Sequence, residues 1–206
     1  MLRGRLITVE GVDGAGKSTL VQGLERSLQA RGLAVRALRE PGGVPAAERI
    51  RAIVTDPQAT IGARAEALLY AAARAQLVEE ALEPLLAAGT LVLLDRFVDS
   101  SLAYQGAGRG LGIDAVREIN EFATGGLRPD RTLLLALDPT AARARSAGRA
   151  EPSDRMELAG AGFLERIADA YARLAAADPG RFRRIDASLE PHAVLDRALA
   201  EIEDLL

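Results

Sequence analysis

Residues 11–18 read Gly-Val-Asp-Gly-Ala-Gly-Lys-Ser, and this octet constrains the fold more than any other feature of the 206-residue chain. The pattern G-x-x-x-x-G-K-[ST] follows a short apolar run, Leu6–Val9, and opens a helical pattern, Lys17–Ala30. Strand, glycine loop and helix N-terminus in that order make a phosphate cradle. The glycines let consecutive backbone N–H groups turn inward, and the helix start adds partial positive charge. Lys17 is placed to reach the β- and γ-phosphates of a nucleoside triphosphate, and Ser18 to ligate Mg²⁺. Of 26 basic side chains, Lys17 is the only lysine. A bias toward arginine has acted on the whole chain and spared this one position. The motif alone does not choose among kinases, GTPases and motor ATPases.

The rest of the chain alternates in kind. Apolar strand candidates are Leu6–Val9, Ala34–Leu38, Leu91–Leu94, Thr132–Leu137 and Phe182–Ile185. Helical patterns cover Lys17–Ala30, Ala46–Val54, Ala63–Ala87, Ile113–Ala123, Thr140–Ala147, Gly160–Ala176 and Pro191–Leu205. Pro84 is expected to end or kink the longest of them. Strands alternating with helices imply βαβ units and a parallel sheet. The expectation is a three-layer α/β fold of the P-loop NTPase type, with five parallel strands in the order 2-3-1-4-5. Residues 1–206 are expected to form one domain, because Gly148–Asp154 reads as a loop after which helix resumes.

Bulk properties narrow the function. The chain is 49% apolar, and its formal charge of −3 argues against nucleic acid as the main partner. There are no cysteines, so disulfides and thiolate metal sites are excluded. No apolar stretch reaches the ~18 residues of a membrane span, and the N-terminus lacks a cleavable leader pattern. A soluble, cytoplasmic protein is the expectation.

A second acidic site follows the apolar run Leu91–Leu94, which ends in Asp95 and Arg96. Ligands of open α/β sheets gather at the carboxyl ends of the strands. Asp95 therefore belongs beside the phosphate loop, with a role at Mg²⁺, and an arginine directly after it suits a second phosphate-bearing substrate.

At these residues a resemblance emerges. Leu93-Leu94-Asp95-Arg96-Phe97-Val98-Asp99-Ser100-Ser101-Leu102-Ala103-Tyr104-Gln105 resembles the signature segment of thymidylate kinases. Glu10 to Thr19 resembles that family's phosphate loop, Arg39-Glu40-Pro41-Gly42-Gly43 the segment after its second strand, and Asp186-Ala187-Ser188 the turn bordering the adenine. The similarity runs from about Leu6 to Ser188, with four motifs in family order.

The resemblance implies ATP on Gly11, Val12, Asp13, Gly14, Ala15, Gly16, Lys17, Ser18 and Thr19, with Arg143 and Ala187 completing the donor side. It implies dTMP on Asp13, Arg39, Glu40, Pro41, Arg51, Tyr70, Arg74, Arg96, Ser100, Ser101, Tyr104 and Gln105. Within that set Tyr70 stacks on thymine, and Arg74, one helical turn on, donates to a thymine carbonyl. Tyr104 packs under the deoxyribose and excludes a 2′-hydroxyl. Ser101 and Gln105 serve the base, Glu40 and Pro41 the sugar side, and Arg39 and Arg96 the phosphate, with Arg51 as a third cation. Asp13 is an odd anion to find near a triphosphate; the resemblance gives it the acceptor's 3′-hydroxyl and a link to the metal.

The expected catalytic set is Asp13, Lys17, Asp95, Arg96 and Arg149, with Ser18 and Asp95 on Mg²⁺. Eukaryotic members carry an arginine where this chain has Gly14. The chain thus resembles the bacterial subgroup, in which a lid, here about 143–157, supplies that arginine. Arg149 is the first choice, with Arg145 and Arg155 as alternatives. The family is commonly dimeric. Two other readings compete with ATP + dTMP → ADP + dTDP: a kinase of another small acceptor, and a P-loop switch or ATPase. The second needs a residue to orient water, and the sequence offers no clear candidate.

Overall fold

The computed structural model describes residues 3–147 and 161–206. Five strands, β1 (Leu6–Glu10), β2 (Val35–Arg39), β3 (Leu91–Asp95), β4 (Arg131–Ala136) and β5 (Phe182–Asp186), form one parallel sheet in the order β2-β3-β1-β4-β5. Each lies within one or two residues of its expected bounds, and the order is the expected one. Alternation within the strands sends side chains to opposite faces. Ile7, Val9, Leu91 and Leu93 pack beneath α1 (Lys17–Ala30). Leu6, Val92 and Leu94 pack against α2 (Pro45–Thr55), α3 (Ala63–Leu77) and α4 (Glu83–Ala87). Among the described residues no helix is long and apolar enough to cross a membrane.

Register positions the site. Val9 of β1 pairs with Asp95 of β3, and Asp95 pairs with Arg39 of β2. Three strand ends therefore finish level, and the chains leaving them (the glycine loop, Arg96 and the Glu40–Pro41 turn) emerge side by side. Neighbouring β1 on its other side is β4, so the edge at β1 is where the order reverses, the crevice that open α/β sheets use for ligands.

Two of the helical segments contain π turns. The Ala63–Ala87 segment does not end at Pro84 but runs on to Ala87. A π turn, Val78–Leu82, precedes Pro84, and the Glu83 N–H donates to the Val78 carbonyl. That i→i−5 step widens the helix one residue ahead of the proline, whose missing N–H then falls in the first turn of α4. The region around Ser101 and Gln105, which none of the helical patterns in the sequence covers, is helical, α5 (Val98–Ser101) running into a π segment, Leu102–Gly108. Its periodicity was masked because Asp99, Ser100, Ser101 and Gln105 are polar yet buried. The remaining helices are α6 (Ile113–Thr124), α7 (Pro139–Ala147), α8 (Ala161–Ala177) and α9 (Pro191–Ala200).

Candidate active site

The glycine loop takes its shape from backbone that only glycine adopts cheaply. Gly14 has φ 83° and Gly16, which caps α1, has φ 94°. Val12 and Ala15 bury their side chains in the core, which fixes the loop to the sheet. Lys17 is buried and its ammonium donates to the Val12 carbonyl at 3.0 Å. Burial, aided by the Arg96 cation, lowers its pKa to about 8 against the pull of Asp13, Asp95 and Glu10. A bound triphosphate would add anions to that pull. The Ser18 hydroxyl donates to Asp95 at 2.6 Å, so the two expected metal-side oxygens do meet. Among the described residues no group of three or more His, Cys, Asp or Glu could hold a metal. The Ser18 hydroxyl and Asp95 carboxylate are a donor set that suits Mg²⁺, which is usually held by one or two protein oxygens together with substrate phosphates.

Arg96 is the hub of the acceptor side. It is the one non-glycine residue described with positive φ, 70°. Such a conformation costs about 1–3 kcal/mol and persists only where its surroundings impose it. Its guanidinium donates to the Gly11 carbonyl at 3.2 Å, Ser100 Oγ at 3.1 Å, Tyr104 OH at 3.2 Å and the Asp13 carboxylate. Tyr104 OH donates to the other Asp13 oxygen at 2.9 Å. Burial would raise the Asp13 pKa, but Arg96, Lys17 and the Tyr104 hydroxyl reverse that and bring it down to about 2. Asp13 is thus held as an anion between two cations, which explains a carboxylate inside a phosphate loop.

One cleft of about 770 Å³ joins the two sides. Its wall includes Asp13, Gly14, Gly16, Lys17, Ser18 and Thr19 at one end, and Tyr70, Ser100, Ser101, Tyr104 and Gln105 at the other. Arg39, Glu40, Pro41, Arg51, Asp95, Arg96 and Arg145 line it between and around them. Arg39 pairs with Glu48 at 3.1 Å, and Arg39 and Arg51 both donate to the Pro41 carbonyl, at 3.2 and 3.0 Å. These cations are therefore gathered around one turn at the cleft.

Other expected residues sit elsewhere. Arg74 does not reach the cleft. It is 1% exposed and makes four hydrogen bonds: Nε to Glu40 (2.7 Å), Nη1 to Ser101 Oγ (3.0 Å) and to the Asn120 side chain, and Nη2 to the Phe97 carbonyl (3.0 Å), with Nη2 also 2.6 Å from Glu40 in an ion pair. It stands one layer behind Glu40 and Ser101 and fixes both, instead of presenting a free donor. Arg143 is exposed on α7 and off the cleft wall; Arg145, two residues on, is the one that lines it and donates to the Ala187 carbonyl at 2.8 Å. Gly11 and Ala187 are not on the cleft wall, and their carbonyls accept Arg96 and Arg145, which are. Arg149 and Arg155 lie outside the described residues.

Sequence reasoning missed the buried support. Glu66 on α3 is fully buried and accepts from Gln105 at 3.0 Å and from Arg109 at 3.1 Å through both nitrogens. Asp99 accepts Arg181 at 2.6 and 3.1 Å. Glu10, at the end of β1, has no exposed surface and its partners come from three places. A buried acid far from its partner in sequence gives no local signal. The only hint was an alternation, Leu6-Thr8-Glu10 against Ile7-Val9, that ordinarily reads as a solvated strand face.

A glycine loop at a helix start, with a strand-end Asp-Arg pair opening onto a second recess, defines a P-loop kinase of small molecules. The model for the family described as thymidylate kinase matches residues 9–198. A thymidylate kinase of Deinococcus radiodurans is 50% identical over 188 residues, 91% of each chain. One from Halorhodospira halophila is 46% identical over 207 residues (99% and 96%), and one from Bacillus velezensis 42% over 207 (100% and 98%). The chain belongs to the thymidylate kinase family.

Proposed function

We propose that this chain transfers the γ-phosphoryl group of ATP to dTMP, giving ADP and dTDP for dTTP synthesis, as one cytoplasmic kinase domain spanning residues 1–206. The observation that carries the reading is the single cleft running from Lys17 and Ser18 to Tyr70, Tyr104 and Gln105, with Arg96 midway. ATP lies along Gly11–Thr19. The thymine ring lies between Tyr70 and the Ser101–Gln105 segment, and Arg74 acts on it through Glu40 and Ser101. Arg39, Arg51 and Arg96 face the acceptor phosphate. One of its oxygens attacks the γ-phosphorus in line as the bond to the β–γ bridging oxygen breaks, and ADP leaves with that electron pair. No general base is needed, because a phosphate monoester is already ionised near neutral pH.

Catalysis of this kind is positioning plus charge stabilisation. Lys17 and Arg96 bring fixed cations to the moving group, while Asp13 keeps Arg96 aimed and serves the acceptor 3′-hydroxyl. Mg²⁺, held by Ser18 and Asp95 with the ATP phosphates, would neutralise charge on the β- and γ-oxygens. A lid of about 143–157 supplies a further cation, Arg149, in the manner of the bacterial subgroup. Glycine at position 14 supports that assignment: a Cβ there would meet the Ala142 carbonyl at 2.3 Å, so the loop itself has no room for a side chain. Homodimerisation through α2, α3 and α6 is supported by the exposed Ile53, Leu68 and Phe122 on these side-by-side helices.

The test is ADP release with ATP–Mg²⁺ and dTMP, dUMP, ribosyl TMP, dCMP, AMP or GMP. dTMP is expected to give the fastest turnover by a wide margin. A faster alternative acceptor overturns the thymine site, and no stimulation by any acceptor in folded protein overturns the kinase reading.

A further inference from the structure

Glu10 is a buried acid that the mechanism above does not use. One of its oxygens accepts the Phe97 backbone N–H at 2.7 Å. The other accepts the Ser100 hydroxyl at 2.6 Å and the Tyr171 hydroxyl at 2.8 Å. Ser100 and Tyr171 are themselves 2.9 Å apart, and Ser100 Oγ receives Arg96. Strand β1 thus holds Arg96 from both sides: the Arg96 N–H donates to the Val9 carbonyl at 3.0 Å, and the next N–H, of Phe97, to the Glu10 carboxylate.

We propose that Glu10 is a positioning residue for phosphoryl transfer: it imposes the left-handed backbone at Arg96 and orients Ser100, so that the Arg96 guanidinium points across the cleft toward Asp13 and the acceptor phosphate. The proposal rests on the reading of Arg96 as an acceptor-phosphate residue. The groups that face Glu10 are Lys17 at the start of α1, Arg96 and Phe97 after β3, Asp99 and Ser100 on α5, and Tyr171 on α8. Only an acceptor can serve here, since three donors converge on it. An amide cannot. Glutamine keeping its carbonyl toward the Phe97 N–H turns its NH₂ to the two hydroxyls. Ser100 and Tyr171 must then reverse from donating to accepting, and Ser100 loses the fixed anion that oriented it toward Arg96.

The experiment compares Glu10→Gln, Tyr171→Phe and Arg96→Ala with wild type, measuring kcat and both KM values by coupled ADP release, with circular dichroism to confirm folding. Misplacing a reacting group by about 1 Å costs up to ~100-fold. Glu10→Gln is expected to lower kcat/KM for dTMP about 10- to 100-fold while KM for ATP stays within about twofold. Tyr171→Phe, which removes one donor and keeps the packing, is expected to shift the same parameter in the same direction by about threefold or more. A role in stability alone would reduce the fraction of active protein and leave KM for dTMP where it was. Glu10→Gln and Tyr171→Phe with wild-type dTMP parameters, beside a crippled Arg96→Ala, would overturn the inference and leave the acceptor reading intact. If Glu10→Gln does not fold, the Tyr171→Phe result decides alone. A fully active Arg96→Ala would sink the acceptor reading itself.

Discussion

Replacing Arg74 with methionine separates two accounts of this residue. Methionine keeps an unbranched stem of similar length but removes five donors. Glu40 then loses its counter-cation, while its Oε1 has no hydrogen-bond partner among the described residues. Burial outweighs Arg74 enough to raise the Glu40 pKa even in the intact pair. Both side chains are nearly inaccessible, 1% and 4% exposed, so water cannot fill in. Breaking such a pair from one side costs about 3–5 kcal/mol. For a chain of this size each kcal/mol is worth ~2–4 °C, so Tm is expected to fall by roughly 6–20 °C. Melting curves of Arg74→Met, Glu40→Gln and the double variant complete a cycle. The double variant should recover a large part of the loss, because the stranded charge is gone. KM for dTMP should rise as well, since Ser101 and Glu40 lose their common support. An Arg74→Met protein that melts within about 2 °C of wild type but binds dTMP poorly would refute the buried-pair argument and make Arg74 a direct base contact.

Further outcomes follow from other sites. Gly14→Ala should reduce kcat/KM for ATP about tenfold or more and lower Tm, because strain at φ 83° adds to a backbone clash; Gly32→Ala, at the same φ with open space around it, should cost only about 1 kcal/mol and spare activity. Tyr104→Phe removes hydrogen bonds to Asp13 and Arg96 but keeps the ring, which meets Phe163 edge-on at 6.2 Å; kcat/KM for dTMP should drop about 5- to 10-fold, with discrimination against ribosyl TMP retained. Burial, reinforced by Asp99, raises the Glu10 pKa to about 7 from 4.5. A raised folded-state pKa gives stability that is complete below about 4.5 and lost as pH climbs through about 7. The Tm advantage of wild type over Glu10→Gln should therefore shrink across that window. Activity toward dTMP should climb over the same range, because the ionised form accepts all three donors.

Much of this was legible in the sequence, and the boundary has a physical cause. The phosphate loop is contiguous, so its whole mechanism is written in eight residues. The strands were legible because each is a short apolar run bounded by glycine, proline or charge. The surroundings of Arg74 and Arg143 were illegible for one reason: in a chain whose cations are nearly all arginine, the letter no longer tells a buried structural guanidinium from a solvated or ligand-facing one. Glu10 and Tyr171 lie 161 positions apart. No local pattern reports such a pair, and the helix at Val98–Gly108 was hidden for the related reason that its inward face is polar.

The solitary lysine gives the protein a built-in single-site reporter. Apart from the chain's α-amino group, Lys17 is the only primary amine, and it lies 7% exposed in the floor of the cleft. Its pKa of about 8 leaves a larger unprotonated, nucleophilic fraction near neutrality than an ordinary lysine has. An amine-selective acylating reagent therefore labels one side chain, and a lysine-specific protease has one bond to cut. Both reactions should be slowed by ATP, so the occupancy of the donor site can be read by mass spectrometry without any engineered tag.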